Sequence, residues 1–202
     1  MQVHIIGEYG FEEALFGLGL SYGITSHFDS VHAFYTDHLM KQHSETSDYQ
    51  RLQKVAAKLA HKDGGHNKFL ETITVTLDID APRYWWSEFD TYRVGTTKQS
   101  ESTMHTIDKR SLIKSDFEGG DIPDSLLSLI NSAVDDKDWY RVKQLLPESF
   151  LQRRIVSTNY KVLRNVYAQR KNHRLPEWRV FCGTLRNGLE HFDYLENYNE
   201  GK

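Results

Sequence analysis

The chain has 202 residues, 39% hydrophobic and 12% aromatic, enough to bury one good core in a single domain spanning 1–202. Its formal net charge of -3 supplies no global basic field for a nucleic-acid duplex or an anionic membrane, so any anionic ligand is expected to be small and held in a local pocket. The one cysteine, Cys182, excludes an internal disulfide and a cysteine-built metal site, no apolar run is long enough to span a membrane, and no basic-then-hydrophobic leader opens the chain; a cytoplasmic protein is expected.

In chain order, residues 1–6 read as a short strand and 10–22 as an apolar helical or turn-rich segment running into Ser21, Tyr22 and Gly23. Between 24 and 47, His27, His32, His38 and His43 crowd together with Asp29 and Asp37, but no pair has HExxH-type spacing, and no metal is expected. Residues 47–61 form an amphipathic helix pattern with Leu52, Val55, Ala56 and Leu59 inward, closed by Gly64 and Gly65. From 69 to 79, Phe69, Ile73, Val75, Leu77 and Ile79 alternate with Thr72, Thr74, Thr76 and Asp78, which predicts a strand. Glu71 breaks the apolar face: it is either at the open end of the strand or a partly buried carboxylate with a partner.

Pro82 suits the first turn of a helix that buries Trp85, Trp86 and Phe89, with Arg93 one or two turns on along the same side. Residues 93–103 read as a hydroxyl-dense loop in which Lys98 can meet an anion, and 104–120 as a polar connection. Helices follow at 123–134 and 138–146, stopped by Pro147. The stretch 157–178 predicts a helix opened by Ser157 or Thr158, striped by Val162, Leu163, Val166 and Tyr167, and ended before Pro176. It carries more nitrogen donors than a helix needs. Lys161 and Asn165 project side by side one turn apart, and Arg170 and His173 form a fork for a carbonyl or a phosphate; the alternative is a plain solvated face. Phe181, Cys182, Leu185 and Leu189 mark a last helix as core or subunit contact, and the tail 194–202 is expected to fray.

Two ungapped blocks carry a resemblance. Asn159, Lys161, Leu163, Asn165 and Arg170, followed by His173 and Trp178, resemble the signature N-x-R-x-L-x-N-x-x-x-x-R, then H and W, of the flavin-dependent thymidylate synthases, the ThyX family. Upstream in the same block, Lys143 and Pro147 match its A-R-x-x-L-P, with lysine for arginine. In the other block, His66 and Glu71 match the first and last members of H-E-T-P-x-E, Ala81-Pro82 the A-P pair, and Arg93 the end of R-H-R. Residues 1–65 are the divergent part, where only Ser21-Tyr22-Gly23 resembles R-V-S-Y-G. Thr91 and Tyr92 stand where the family has R-H, and Thr96, Lys98, Gln99, Glu101 and Thr103 where it has S, N, E, S and R.

The resemblance implies an α+β fold, a mixed antiparallel sheet flanked by helices, assembled as a homotetramer with each site built between subunits. It implies transfer of a one-carbon unit from methylenetetrahydrofolate to C5 of a pyrimidine deoxynucleotide, with FAD reduced by a nicotinamide cofactor. Arg170 then donates to a ring carbonyl. His66, Glu71, Arg93, Asn159, Lys161, Asn165 and His173 belong to the flavin site, and Lys143, Gln99, Ser100 and Ser102 approach the nucleotide. The departures at Thr91, Tyr92, Glu101 and Thr103 leave a second reading open, a nucleotide-binding or interaction protein of this fold that lacks flavin and turnover.

Overall fold

Strand periodicity survives in the structure, but it starts later than the sequence suggests. The computed structural model describes residues 1–41, 47–62 and 64–196. In chain order these form β1 (Gln2–Tyr9), α1 (Phe11–Leu20), α2 (Val31–Met40), α3 (Asp48–Ala60), a 3-10 turn (Lys68–Glu71) and β2 (Thr74–Pro82). Then come α4 (Arg83–Phe89), β3 (Thr97–Ser100), α5 (Thr103–Thr106), α6 (Asp124–Asp135), α7 (Trp139–Leu145), β4 (Leu151–Asn159), α8 (Tyr160–Arg170) and α9 (Pro176–Gly188). The sheet is antiparallel throughout, in the order β1-β2-β4-β3. No helix among the described residues is long and apolar enough to cross a membrane.

Burial follows the pleat. Val75, Leu77, Ile79 and Ala81 of β2, with Val3 and Val156, face the helices and are buried, whereas alternate positions such as His4, Arg153 and Gln99 stay exposed. The helices on the buried side bring large rings together: Trp85 of α4 lies 4.8 Å from Trp178 and 5.6 Å from Phe181 of α9, and all three are fully buried. A second, smaller apolar cluster gathers Ile107, Leu112 and Phe117 with Ile130, Val134 and Val142 of α6 and α7. Asn131 ties it to the connection by accepting from Leu112 N–H at 2.7 Å and donating to its carbonyl at 2.9 Å.

Several expectations are corrected here. Phe69 and Glu71 belong to a 3-10 turn and not to the strand, so Glu71 is exposed at the strand's approach. Pro82 ends β2 and caps α4 from outside, because its extended ψ of 153° continues the strand and does not enter the helix. α4 stops at Phe89, which leaves Arg93 exposed on the loop beyond it. The expected loop at 93–103 contains β3, an edge strand paired to β4. α3 ends at Ala60 with His61 as its cap, so Gly64 and Gly65 lie beyond it.

The expected helix start at Ser157 or Thr158 is also displaced. Both residues extend β4, and Asn159 is the cap, its Oδ1 accepting from Val162 N–H at 3.0 Å. One long stretch to 175 becomes α8, a turn, and then α9 with Pro176 in its first turn. At the C-terminal end Tyr194 and Leu195 are buried, and Glu196 pairs with Lys171 and Arg186, so fraying does not begin at Tyr194. The rest of that expected tail, 197–202, and His43 of the histidine cluster lie outside the described residues. Among those described, no group of three His, Cys, Asp or Glu residues is placed to hold a metal, and His38 instead stacks on Tyr49 with ring centroids 3.9 Å apart.

Candidate active site

The junction where β4 turns into α8 builds one wall of a cleft of about 600 Å³. Asn159, Lys161 and Asn165 come from that wall, Glu71 from the 3-10 turn, and Thr91, Tyr92, Arg93 and Gly95 from the loop after α4. Sequence-distant candidates Glu71, Arg93, Asn159, Lys161 and Asn165 are therefore brought together. Gly95 lets that loop approach closely: at its φ of +71° a side chain is strained, and an added Cβ would sit 3.0 Å from Asn159 Nδ2.

The asparagines are polarised by their own chain. Asn159 Oδ1 accepts from Val162 N–H in the α8 cap and Asn165 Oδ1 from Gln169 Nε2 at 3.0 Å, so each amide oxygen is anchored by the chain and the amide N–H groups are the less committed side. Lys161 is ion-paired to Glu71. The Arg93 side chain makes no ion pair or hydrogen bond among the described residues. The cleft thus offers donors and positive charge, which suit a ligand rich in carbonyls or phosphate. A second cleft of about 420 Å³ adjoins it across Glu71, lined by His66, Lys68 and Phe69 and by Ala14, Gly17, Leu18 and Ser21 of α1.

Arg170 does not line the large cleft; it lies behind Tyr92. Its Nε donates to the Tyr92 hydroxyl at 2.8 Å and its Nη1 to Glu88 Oε2 at 2.8 Å, while its guanidinium sits 4.7 Å from the Trp178 ring centre. The Tyr92 hydroxyl donates in turn to Gln169 Oε1 at 2.7 Å, so a hydrogen-bonded chain runs from Arg170 through Tyr92 and Gln169 to Asn165 on the cleft wall. His173 joins the same cluster: Nδ1 accepts from Leu175 N–H at 3.2 Å, which leaves Nε2 facing Glu88 at 3.6 Å.

The remaining candidates are not brought to this cleft within one chain. Gln99 and Ser100 are exposed on β3, Ser102 precedes α5, and Lys143 is exposed on α7. Lys98, expected to meet an anion, meets one of the protein's own: its Nζ lies 2.7 Å from Asp90, which Arg154 also approaches at 3.2 Å. Glu88 was not legible as a site residue, because a single acid on a short amphipathic helix carries no signal and its arginine lies 82 positions away.

Asp90 yields a pH dependence. Partial burial alone raises its carboxyl, but the Lys98 and Arg154 donors outweigh burial and hold the group below the usual carboxylate range. A depressed native value contributes stability that is complete above the unfolded value of about 3.9 and is lost as the pH falls from there through the lower native value. Urea unfolding from about pH 6 to pH 3 is therefore expected to weaken the wild type more than Asp90→Asn. Parallel losses in the two proteins would show that Asp90 adds nothing.

No protein-family profile matches the sequence, and no curated protein matches it either. Solved structures do. Thymidylate synthase X (ThyX) from Helicobacter pylori, in a crystal structure with FAD and dUMP, superposes with a TM-score of 0.73 at 14% identity, covering 96% of this chain and 97% of that one. A second structure of the flavin-dependent thymidylate synthase from the same organism, also complexed with FAD and dUMP, gives a TM-score of 0.70 at 15% identity over 97% and 98% of the two chains. The four-stranded antiparallel sheet with its flanking helices is the α+β fold of those flavin-dependent thymidylate synthases.

Proposed function

We propose that this chain is a flavin-dependent transferase that places a one-carbon unit on C5 of a pyrimidine deoxynucleotide. The observation that carries the reading is the cleft itself: Asn159 and Asn165, their oxygens anchored by the chain, offer amide N–H beside Lys161 and Arg93, in a fold whose solved neighbours are complexed with FAD and dUMP. This donor set fits the carbonyl edge of a flavin ring and its phosphates. Glu71, Arg93, Asn159, Lys161 and Asn165 would hold the flavin, with His66 and Ser21 in the adjoining cleft and His173 behind Arg170. Bound there, a flavin reduced by a nicotinamide cofactor supplies the reducing electrons that leave the transferred carbon as a methyl group. The chain's own contribution is polarisation: C5 is a poor nucleophile until a ring carbonyl accepts a hydrogen bond, and Arg170, behind Tyr92 with only Nη2 uncommitted, would be the donor to a ring that reaches past the cleft lining. Methylenetetrahydrofolate is the one-carbon source in this reading. Lys143, Gln99, Ser100 and Ser102 enter it as groups lent by a neighbouring copy in a homotetramer.

The test is the visible absorption of the purified protein after incubation with FAD and gel filtration. A retained flavin spectrum, weakened in Asn165→Ala and Arg93→Ala, is expected. A colourless protein would overturn the flavoenzyme reading. The second reading, a nucleotide-binding or interaction protein without turnover, is favoured by Thr91, whose hydroxyl is spent on the Glu88 carbonyl at 2.7 Å and offers a ligand no charge. It expects deoxynucleotides to raise the melting temperature without flavin.

A further inference from the structure

Glu88 sits where the charge of Arg170 would otherwise be unopposed. Its Oε2 receives Arg170 Nη1 at 2.8 Å and Trp178 Nε1 at 2.9 Å, with His173 Nε2 at 3.6 Å. On the other edge the Arg170 Nε is held by the Tyr92 hydroxyl at 2.8 Å, and the Trp178 ring supports one face of the guanidinium. Two of its three nitrogens are committed. Among the described residues Nη2 makes no hydrogen bond, so it is the edge left to meet a ligand.

The pairing also sets the charge of that edge. A guanidinium bonded to a carboxylate still donates well to a neutral carbonyl, whereas a phosphate reaching Nη2 comes within a few ångströms of the Glu88 carboxylate as well. The side chains of Arg170 and Glu88 are 19% and 33% exposed, so solvent screens that repulsion only in part. Arg93, which lines the cleft and has no acidic partner among the described residues, has no such opposition.

We propose that Glu88 is a positioning and specificity residue: it fixes Arg170 with Nη2 left over and restricts what Nη2 meets to a neutral planar carbonyl, such as a pyrimidine imide, leaving any phosphate to Arg93 in the cleft on the other side of Tyr92. The inference rests on the reading of Arg170 as donor to a ring carbonyl. It separates two recognition tasks that one arginine cannot do at once.

The experiment follows the Arg170 Nε–H resonance by ¹⁵N NMR, assigned with Arg170→Lys, while deoxyuridine or inorganic phosphate is titrated into the full chain. In the wild type deoxyuridine is expected to move the signal and phosphate to leave it in place. Glu88→Gln keeps an acceptor for Trp178 and removes the charge, so phosphate should now move the signal at a concentration at least about tenfold lower than any wild-type response. Glu88→Asp keeps the charge and should retain phosphate exclusion. A phosphate response at the same concentration in wild type and Glu88→Gln would overturn the proposal. If deoxyuridine moves neither protein's signal while the phosphate difference holds, the pyrimidine reading fails and the charge role of Glu88 stands.

Discussion

Replacing Trp178 by alanine is expected to lower the unfolding free energy by about 3–5 kcal/mol, the range for deleting a buried tryptophan. The side chain is fully buried, and its ring meets Trp85 at 4.8 Å, Phe181 at 5.8 Å and Phe89 at 6.1 Å between centroids. Its loss opens a cavity that these rigid rings close poorly. It also removes the Nε1 donor from Glu88 and the platform under Arg170. Domains of this size have about 5–15 kcal/mol in total, so the variant should fold but lie close to its limit. Urea unfolding checks this: the midpoint should fall with the slope unchanged. A loss below about 1 kcal/mol would mean that the cluster collapses into the space.

Arg170→Ala is expected to reduce one-carbon transfer to dUMP by about 10²–10³-fold, the usual cost of deleting one donor to a developing oxyanion. The fall should appear mainly in kcat, since the charge builds at the ring carbonyl only as C5 reacts. Arg170→Lys should not restore it, because the three donors of an ammonium sit on one nitrogen and lack the planar spread by which separate guanidinium nitrogens meet Tyr92, Glu88 and a ligand. Steady-state kinetics with methylenetetrahydrofolate as donor, alongside circular dichroism to establish folding, makes the measurement. Undiminished transfer in the alanine variant would remove Arg170 from the mechanism.

What the sequence showed and what it hid have physical causes. β2 was legible because Ile73, Val75, Leu77 and Ile79 are all fully buried on one face, and the helix at α8 because Leu163, Val166 and Tyr167 recur at helical spacing. β4 was not, although it pairs with two strands: only Val156 and Thr158 are buried along it, and a strand open to solvent on one side and lined with arginines has little apolar alternation to read. β3 is four polar residues on an edge and reads as loop. Ser157, Thr158 and Asn159 are all good caps, and only the extent of the β4 ladder decides that Asn159 is the one used.

The site shows the same division. Donor residue types at Asn159, Lys161, Asn165 and Arg93 stood out in the sequence, and the structure brings them to one cleft. Their orientations did not stand out, because those are set by partners far along the chain. Tyr92 and Glu88 reach Arg170 across 78 and 82 positions, and Glu71 reaches Lys161 across 90. A substitution read as a loss at Tyr92 is, in the structure, a hydroxyl that links Arg170 to the cleft wall.

The small apolar cluster around α6 and α7 has a consequence for cooperativity. It shares no buried side chain with the main core, and besides the chain's continuation into β4 it is tied to the rest by Arg83 and Tyr84 N–H donating to the Phe150 and Glu148 carbonyls at 3.2 and 3.3 Å and by the Met1 amino group pairing with Glu118. A unit with its own small core is expected to open at a lower free energy than the whole molecule, and hydrogen exchange should show its amides exchanging ahead of those in β2 and α9. Lys143 rides on that unit, so its reach toward any ligand is expected to follow the opening of the small core and not that of the main one.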